Sequence, residues 1–189
     1  ISGDFPEALK DQARQVLARA LMDGRLPHRS QDRLTKVARQ LDEYWRRSGG
    51  VLGSVDPEQI QAAIVKQLAG VDSWHQFLDT QVRLKADDFL DSEQRAELDA
   101  LPVWADLRGA RIPLHYEIEE SKPVVRLKLR AAIAGKVRER DLPRLDRPIR
   151  FSILAGKREV FRAASVPEMQ RRLRQLPKPA RSRNRRRRR

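Results

Sequence analysis

The hydrophobic period of this chain changes once, near Gly109, and that change restricts it to a helical half followed by a strand-bearing half. Before Gly109 the apolar residues recur at helical spacing. Leu9, Ala13, Leu17 and Leu21 follow a D-x-x-E start at Asp4 and Glu7 and stop at Gly24. A second stripe, Leu34, Val37, Ala38, Leu41, Tyr44 and Trp45, predicts a helix over 30–47, ended by Ser48, Gly49 and Gly50. Asp56 and Pro57 supply an N-cap and a first-turn proline for a third helix carrying Ile60, Ile64 and Leu68. Trp74, Phe77, Leu78 and Val82 continue the pattern, and a short helix from Ser92 ends at Leu101 and Pro102, where proline forbids continuation. Residues 104–109 read as a softer connection.

After Gly109 the period is two. Ile112, Leu114, Tyr116 and Ile118 alternate with polar residues, and Pro113 points to an edge strand. A turn at 120–123 leads to a return strand with Val125, Leu127 and Leu129 inward and Arg126, Lys128 and Arg130 outward. A helix is expected over 131–138. A proline-bearing linker, 142–148, precedes what reads as the same plan again: Ile149, Phe151 and Ile153, a turn at 155–157, a second strand through Phe161, and a helix opened by Ser165 and Glu168. The expected fold class is α+β: an N-terminal helical bundle over 1–104, a small module of β-hairpins and helices over 105–177, and a disordered basic tail over 178–189.

Of the 189 residues 35% are charged, with a formal net charge of +14. That charge is segregated. Residues 1–110 hold 15 Lys/Arg against 18 Asp/Glu, residues 111–177 hold 17 against 8, and residues 178–189 hold 8 against none. A positive potential confined to one part of a chain attracts polyanions, chiefly nucleic acid or acidic membrane. There are no cysteines, so thiolate metal sites are excluded, and no apolar run approaches the ~18–20 residues needed to span a bilayer. A soluble, cytoplasmic protein without a membrane partner is the expectation. The opening Ile1, Ser2 and Gly3 lack an initiator methionine, which favours a fragment or a processed chain.

No segment carries the local signature of an enzyme. A P-loop needs a lysine followed by a hydroxyl residue after its glycines, whereas Gly135-Lys136 precedes Val137 and Gly156-Lys157 precedes Arg158. His28, His75 and His115 lack metal-motif spacing, and no G-x-S-x-G occurs. Asp42-Glu43 lies on an amphipathic helix, and Asp87-Asp88 and Glu119-Glu120 read as helix and turn charges. No catalytic, cofactor-binding or metal-binding residue is assigned.

The binding candidates are cations. Arg126, Lys128 and Arg130, spaced ~6.6–7 Å apart on alternate strand positions, suit successive phosphates. Arg150, Arg158 and Arg162 are expected to form a similar outward row in the second hairpin. Tyr116, Phe151 and Phe161 lie in phase with the buried residues, so phosphate contact is favoured over base stacking. In the tail, Arg181, Arg183, Arg185, Arg186 and Arg187 add salt-sensitive, non-specific affinity.

The segments RGARIPLHYEIE at 108–119, PVVRLKLR at 123–130 and RPIRFSIL at 147–154 resemble the C-terminal region of bacterial HrpB-like ATP-dependent helicases, DEAH-like members of superfamily 2. YWRRSGG at 44–50 and FLDSEQRAELDAL at 89–101 fit the helical part that precedes it. The resemblance implies a non-motor accessory region that holds RNA beside motor domains in the same parent protein. ATP and magnesium are implied for that parent alone. Two other classes stay open: a free-standing RNA-binding or ribosome-associated protein, and a protein-interaction scaffold.

Overall fold

The computed structural model describes residues 3–52 and 56–176. Arg181, Arg183, Arg185, Arg186 and Arg187, with the tail expected to be disordered, lie outside them. The chain folds as two compact units, one built from Ile1–Pro102 and Tyr116–Pro123, the other from Val103–His115 and the chain from Val124 onward.

The first unit contains α1 (Lys10–Met22), α2 (Gln31–Arg47), α3 (Pro57–Gln67), α4 (Trp74–Asp79) and α5 (Ser92–Asp99). Three of these helices have side-chain N-caps, of which Asp56 is the one the sequence places. Asp56, Ser73 and Asp91 accept hydrogen bonds from the backbone N–H groups of Glu58, Gln76 and Glu93. Asp4 caps nothing: it bridges to Ser73, and a 3-10 turn over Glu7–Leu9 leads into α1. Helix α2 ends in a Schellman motif, the Gly49 N–H donating to Arg46 O at 3.0 Å and the Gly50 N–H to Trp45 O at 2.9 Å. Leu17, Leu21, Leu41, Tyr44, Ile64 and Phe77 share the core.

The expected helical bundle is not what forms. Helices α4 and α5 are short, 6 and 8 residues, and Val82 and Leu84 are buried at alternate positions of a non-helical segment, leading into a 3-10 turn at Ala86–Asp88, rather than on a continuing helix. Ser30 Oγ accepts from the Val82 N–H at 3.0 Å, and the Gln67 amide accepts from Arg83 N at 2.7 Å and donates to Arg83 O at 2.8 Å. Side chains thus satisfy a backbone that lacks a helix or a strand neighbour.

The hairpin tip completes this unit. A Cβ added at Gly49 would stand 2.9 Å from Pro123 Cβ, and one at Gly50 would stand 3.1 Å from Ile118 Cδ1. Tyr116 Oη donates to Pro102 O at 2.7 Å, beneath the Arg47 guanidinium at 5.6 Å from the ring centroid.

The strand-bearing half is also organised differently from expectation. It holds one five-stranded mixed sheet in the order β1 (Trp104–Leu107), β2 (Ala110–Glu119), β3 (Lys122–Arg130), β4 (Ile149–Ala155), β5 (Arg158–Ala163). The two hairpins do not stand as separate units in series, because β3 pairs with β4 in parallel, Leu127 beside Phe151 and Leu129 beside Ile153. An isolated hairpin is marginal in water, and this pairing merges two apolar faces into one. The crossover contains α6 (Ala131–Ala134), half the expected helix and closed at Gly135, and a 3-10 turn at Glu139–Asp141. Helix α7 (Val166–Gln175) starts at Ser165, whose Oγ accepts from the Glu168 N–H at 3.3 Å. Helices α6 and α7 pack on β4 and β5, burying Ala134, Val166 and Met169.

The expected soft connection is strand β1. It turns into β2 through Arg108 and Gly109, both at positive φ, 53° and 78°. Glu120 and Ser121, at φ 50° and 61°, make the equivalent two-residue turn between β2 and β3. No helix among the described residues is long and apolar enough to cross a membrane.

Candidate nucleic-acid interface

The two-unit division sharpens the charge segregation. The first unit carries 15 Lys/Arg against 20 Asp/Glu, and the described residues of the second carry 17 against 6, or −5 against +11. The acidic hairpin tip, Glu117, Glu119 and Glu120, accounts for much of the contrast with a simple cut at residue 110.

Registered partners share a sheet face, so pairing shows which cations the second unit brings together. Arg126 lies beside Arg150, Lys128 beside Ser152, and Ser152 beside Arg162. These residues, with Arg130, occupy the face opposite to Leu127, Leu129, Phe151 and Ile153. Lys128, Arg130 and Arg162 are exposed. Arg126 is not: it is 2% exposed, a correction to the expectation that it projects into solvent. Alternation fixed the face it points to, but neighbouring side chains cover it. Arg150 is half-buried, its Nη1 donating to Ala164 O at 3.1 Å.

Arg158 departs from its expected row. A bulge between Ile153 and Leu154 shifts the β4–β5 register, so Glu159 opposes Leu154 and Arg158 opposes Ala155. That reversal of parity puts Glu159 on the face of Arg162 and Arg158 on the other. Arg162 Nε donates to Glu159 Oε1 at 2.8 Å. The Glu159 carboxyl is held below its usual range by the Ser152 hydroxyl first, then by Arg162 and by the field of Arg126. Ser152 Oγ is buried without a well-formed hydrogen bond, so it acts on Glu159 as a nearby dipole. Lys128 and Arg130 make no ion pair among the described residues.

Three residues of this face, Trp104, Asp106 and Arg111, were not singled out in the sequence reading. Trp104 opposes Pro113 and Asp106 opposes Arg111 across β1 and β2. Trp104 is 45% exposed, with the Arg111 guanidinium 5.1 Å from its ring centroid. Ile112 and Leu114 of β2 and Leu127 and Leu129 of β3 are buried in these neighbouring strands, so alternation puts Pro113 and Lys128 together on the opposite face. Trp104, Pro113, Lys128, Ser152 and Arg162 therefore share one face of the sheet. The signal available in the sequence was the alternation of Ala105 and Leu107, both buried, with Trp104 and Asp106. Arg108 Nε donates to Asp141 Oδ2 at 2.8 Å and ties the β1–β2 turn to the crossover. The Asp141 carboxyl is held below its ordinary range by the Arg138 backbone N–H and by Arg108.

Four titratable groups weighed in the sequence, His28, Asp42, Glu43 and His75, have partners within their own unit. His28 accepts at Nδ1 from the Ser30 N–H at 3.1 Å and contacts Phe77 O through Nε2 at 3.0 Å. Asp42 and Glu43 pair with Arg46 and Arg47 one turn on, at 2.7 and 2.9 Å. His75, widely exposed, lies 3.4 Å from Asp79. A cavity of about 300 Å³ in the first unit, lined by Leu34, Val37, Ile60 and Ile64 among others, has no titratable lining residue. No cluster of three metal-ligating side chains occurs among the described residues. Compared with known proteins, the chain matches no protein family, no curated protein and no solved structure.

Proposed function

We propose that this chain is a nucleic-acid-binding accessory region that holds RNA by its phosphates on the exposed sheet face of the second unit. Lys128, Arg130 and Arg162 carry this reading, because they are exposed on one face of a unit whose described residues carry a net charge of +11. Cations that serve only solubility are ordinarily interspersed with acids; Lys128 and Arg130 have none as partners among the described residues. The resemblance to HrpB-like helicases adds a role beside motor domains of a parent protein, with ATP and magnesium belonging to those domains. In this reading the chain itself catalyses nothing.

The test compares the chain with a K128A/R130A/R162A variant, both lacking 178–189 so that the eight tail cations do not mask the sheet. RNA titrations at several salt concentrations measure the number of phosphate contacts. For a single strand each contact contributes about 0.7 to the slope of log K against log salt, so the variant should lose about 2. An unchanged slope, with circular dichroism showing a folded variant, removes the sheet face from consideration and favours the scaffold reading, in which the acidic first unit binds a protein.

A further inference from the structure

We infer that Trp104 is a base-stacking platform that makes the sheet face select single-stranded nucleic acid, an inference that rests on the proposed phosphate-binding face. Strand β1 presents small Ala105 and Leu107 to the interior and leaves its largest side chain in solvent. Core burial alone favours the opposite, since an indole buries far more apolar area than alanine and a one-residue slip of register would turn it inward. Elsewhere in the second unit the aromatic rings are withdrawn: Phe151 is in the core, and Phe161 is half-buried with the Arg172 guanidinium 6.0 Å from its centroid.

The position of Trp104 gives its exposure a use. It sits on an edge strand, where a base can approach from the side. The Arg111 guanidinium lies over the ring and adds positive charge next to the stacking surface. Lys128 lies two strands away on the same face and Arg162 two strands further, so at ~4.8 Å per strand the sheet spans about 19 Å from the aromatic strand to that of the outermost cation. An aromatic beside a track of cations is the arrangement by which sheets hold unpaired strands: the ring takes a base and the cations take the backbone. In a duplex each base face is already covered by its neighbour, so the indole is idle.

Binding of the full chain is measured to three probes of equal length: single-stranded RNA, a blunt duplex, and a single strand in which abasic sites replace the bases. W104A is expected to weaken single-strand binding roughly 5- to 150-fold, the range of one stacked base, and to leave duplex and abasic binding within about twofold. W104F, which keeps a ring, retains most of the affinity. Tryptophan fluorescence is quenched by the single strand in the wild type, and the W104F variant loses that part of the quenching. Equal losses on single strand and duplex, no loss on either, or a wild type that binds the duplex as tightly as the single strand overturns the platform while phosphate binding stands. Absence of binding to all three probes by the wild type overturns the phosphate-binding face and the platform with it.

Discussion

Gly49 and Gly109 have nearly the same backbone conformation, φ 73° and 78°, but different surroundings. A Cβ at Gly109 meets nothing within 4 Å, whereas one at Gly49 meets Pro123 Cβ at 2.9 Å and Pro123 Cγ at 3.2 Å. Substitution of either by alanine forces an L-residue into the left-handed region, at a cost of about 1–2 kcal/mol. Only G49A adds a clash, and overpacking of this kind costs about 1–3 kcal/mol more, so the expected totals are about 2–5 kcal/mol for G49A and 1–2 for G109A. The clashing atom belongs to a proline ring in a strand, which cannot swing away as the end of a flexible side chain can. Amide hydrogen exchange followed peptide by peptide is the suitable assay, because two compact units need not unfold together. In G49A the loss of protection should centre on the end of α2 and on 116–123, and in G109A on β1 and the start of β2. If G49A proves no costlier than G109A, or leaves 116–123 unaffected, the hairpin tip does not rest on the end of α2.

Two further outcomes follow from local chemistry. Asp72 is held below its ordinary pKa by hydrogen bonding to Lys10, reinforced by the charge of Lys10 and by Arg14 at 2.7 Å. Its contribution is therefore present above the ordinary carboxylate range and lost as pH falls through the lowered folded value; D72N should destabilise the first unit at neutral pH and flatten the acid limb of its thermal melts. Replacing Glu120 and Ser121, both at positive φ, by Asn and Gly should raise stability by about 1 kcal/mol in urea unfolding, since that pair adopts the turn without strain.

The features legible in the sequence are those set by neighbours in the chain. The end of α2 could be read because a Schellman motif needs only Gly49 and Gly50 following the last turn, and β2 and β3 because alternation is local. Alternation does not say which strand lies next, so it gives two hairpin–helix units in series and not the parallel pairing of Val125 with Ile149. The extended course at Val82 depends on Ser30 and Gln67, side chains 52 and 16 residues away, and nothing around Val82 announces them. At the candidate site, Lys128, Arg130 and Arg162 were found through strand period alone. Arg158 was misplaced because one bulge reverses parity, and Arg126 because orientation says nothing of cover. Trp104 was passed over because a four-residue strand is too short for its period to stand out.

The first unit is discontinuous in sequence, and this sets an order on its folding. A ribosome that has released residues 1–102 has made the helices but not the hairpin tip that completes their unit. Once Pro123 and the rest of β3 emerge, that strand presents a bare edge until Ile149 and the rest of β4 follow. An unpaired apolar strand held open for so long invites pairing with other nascent chains. Arg126, Lys128 and Arg130 interrupt Val125, Leu127 and Leu129 along that edge, so Lys128 and Arg130, which face solvent in the finished sheet, and Arg126, which is buried there, repel a second copy of the strand while the first still waits for its partner.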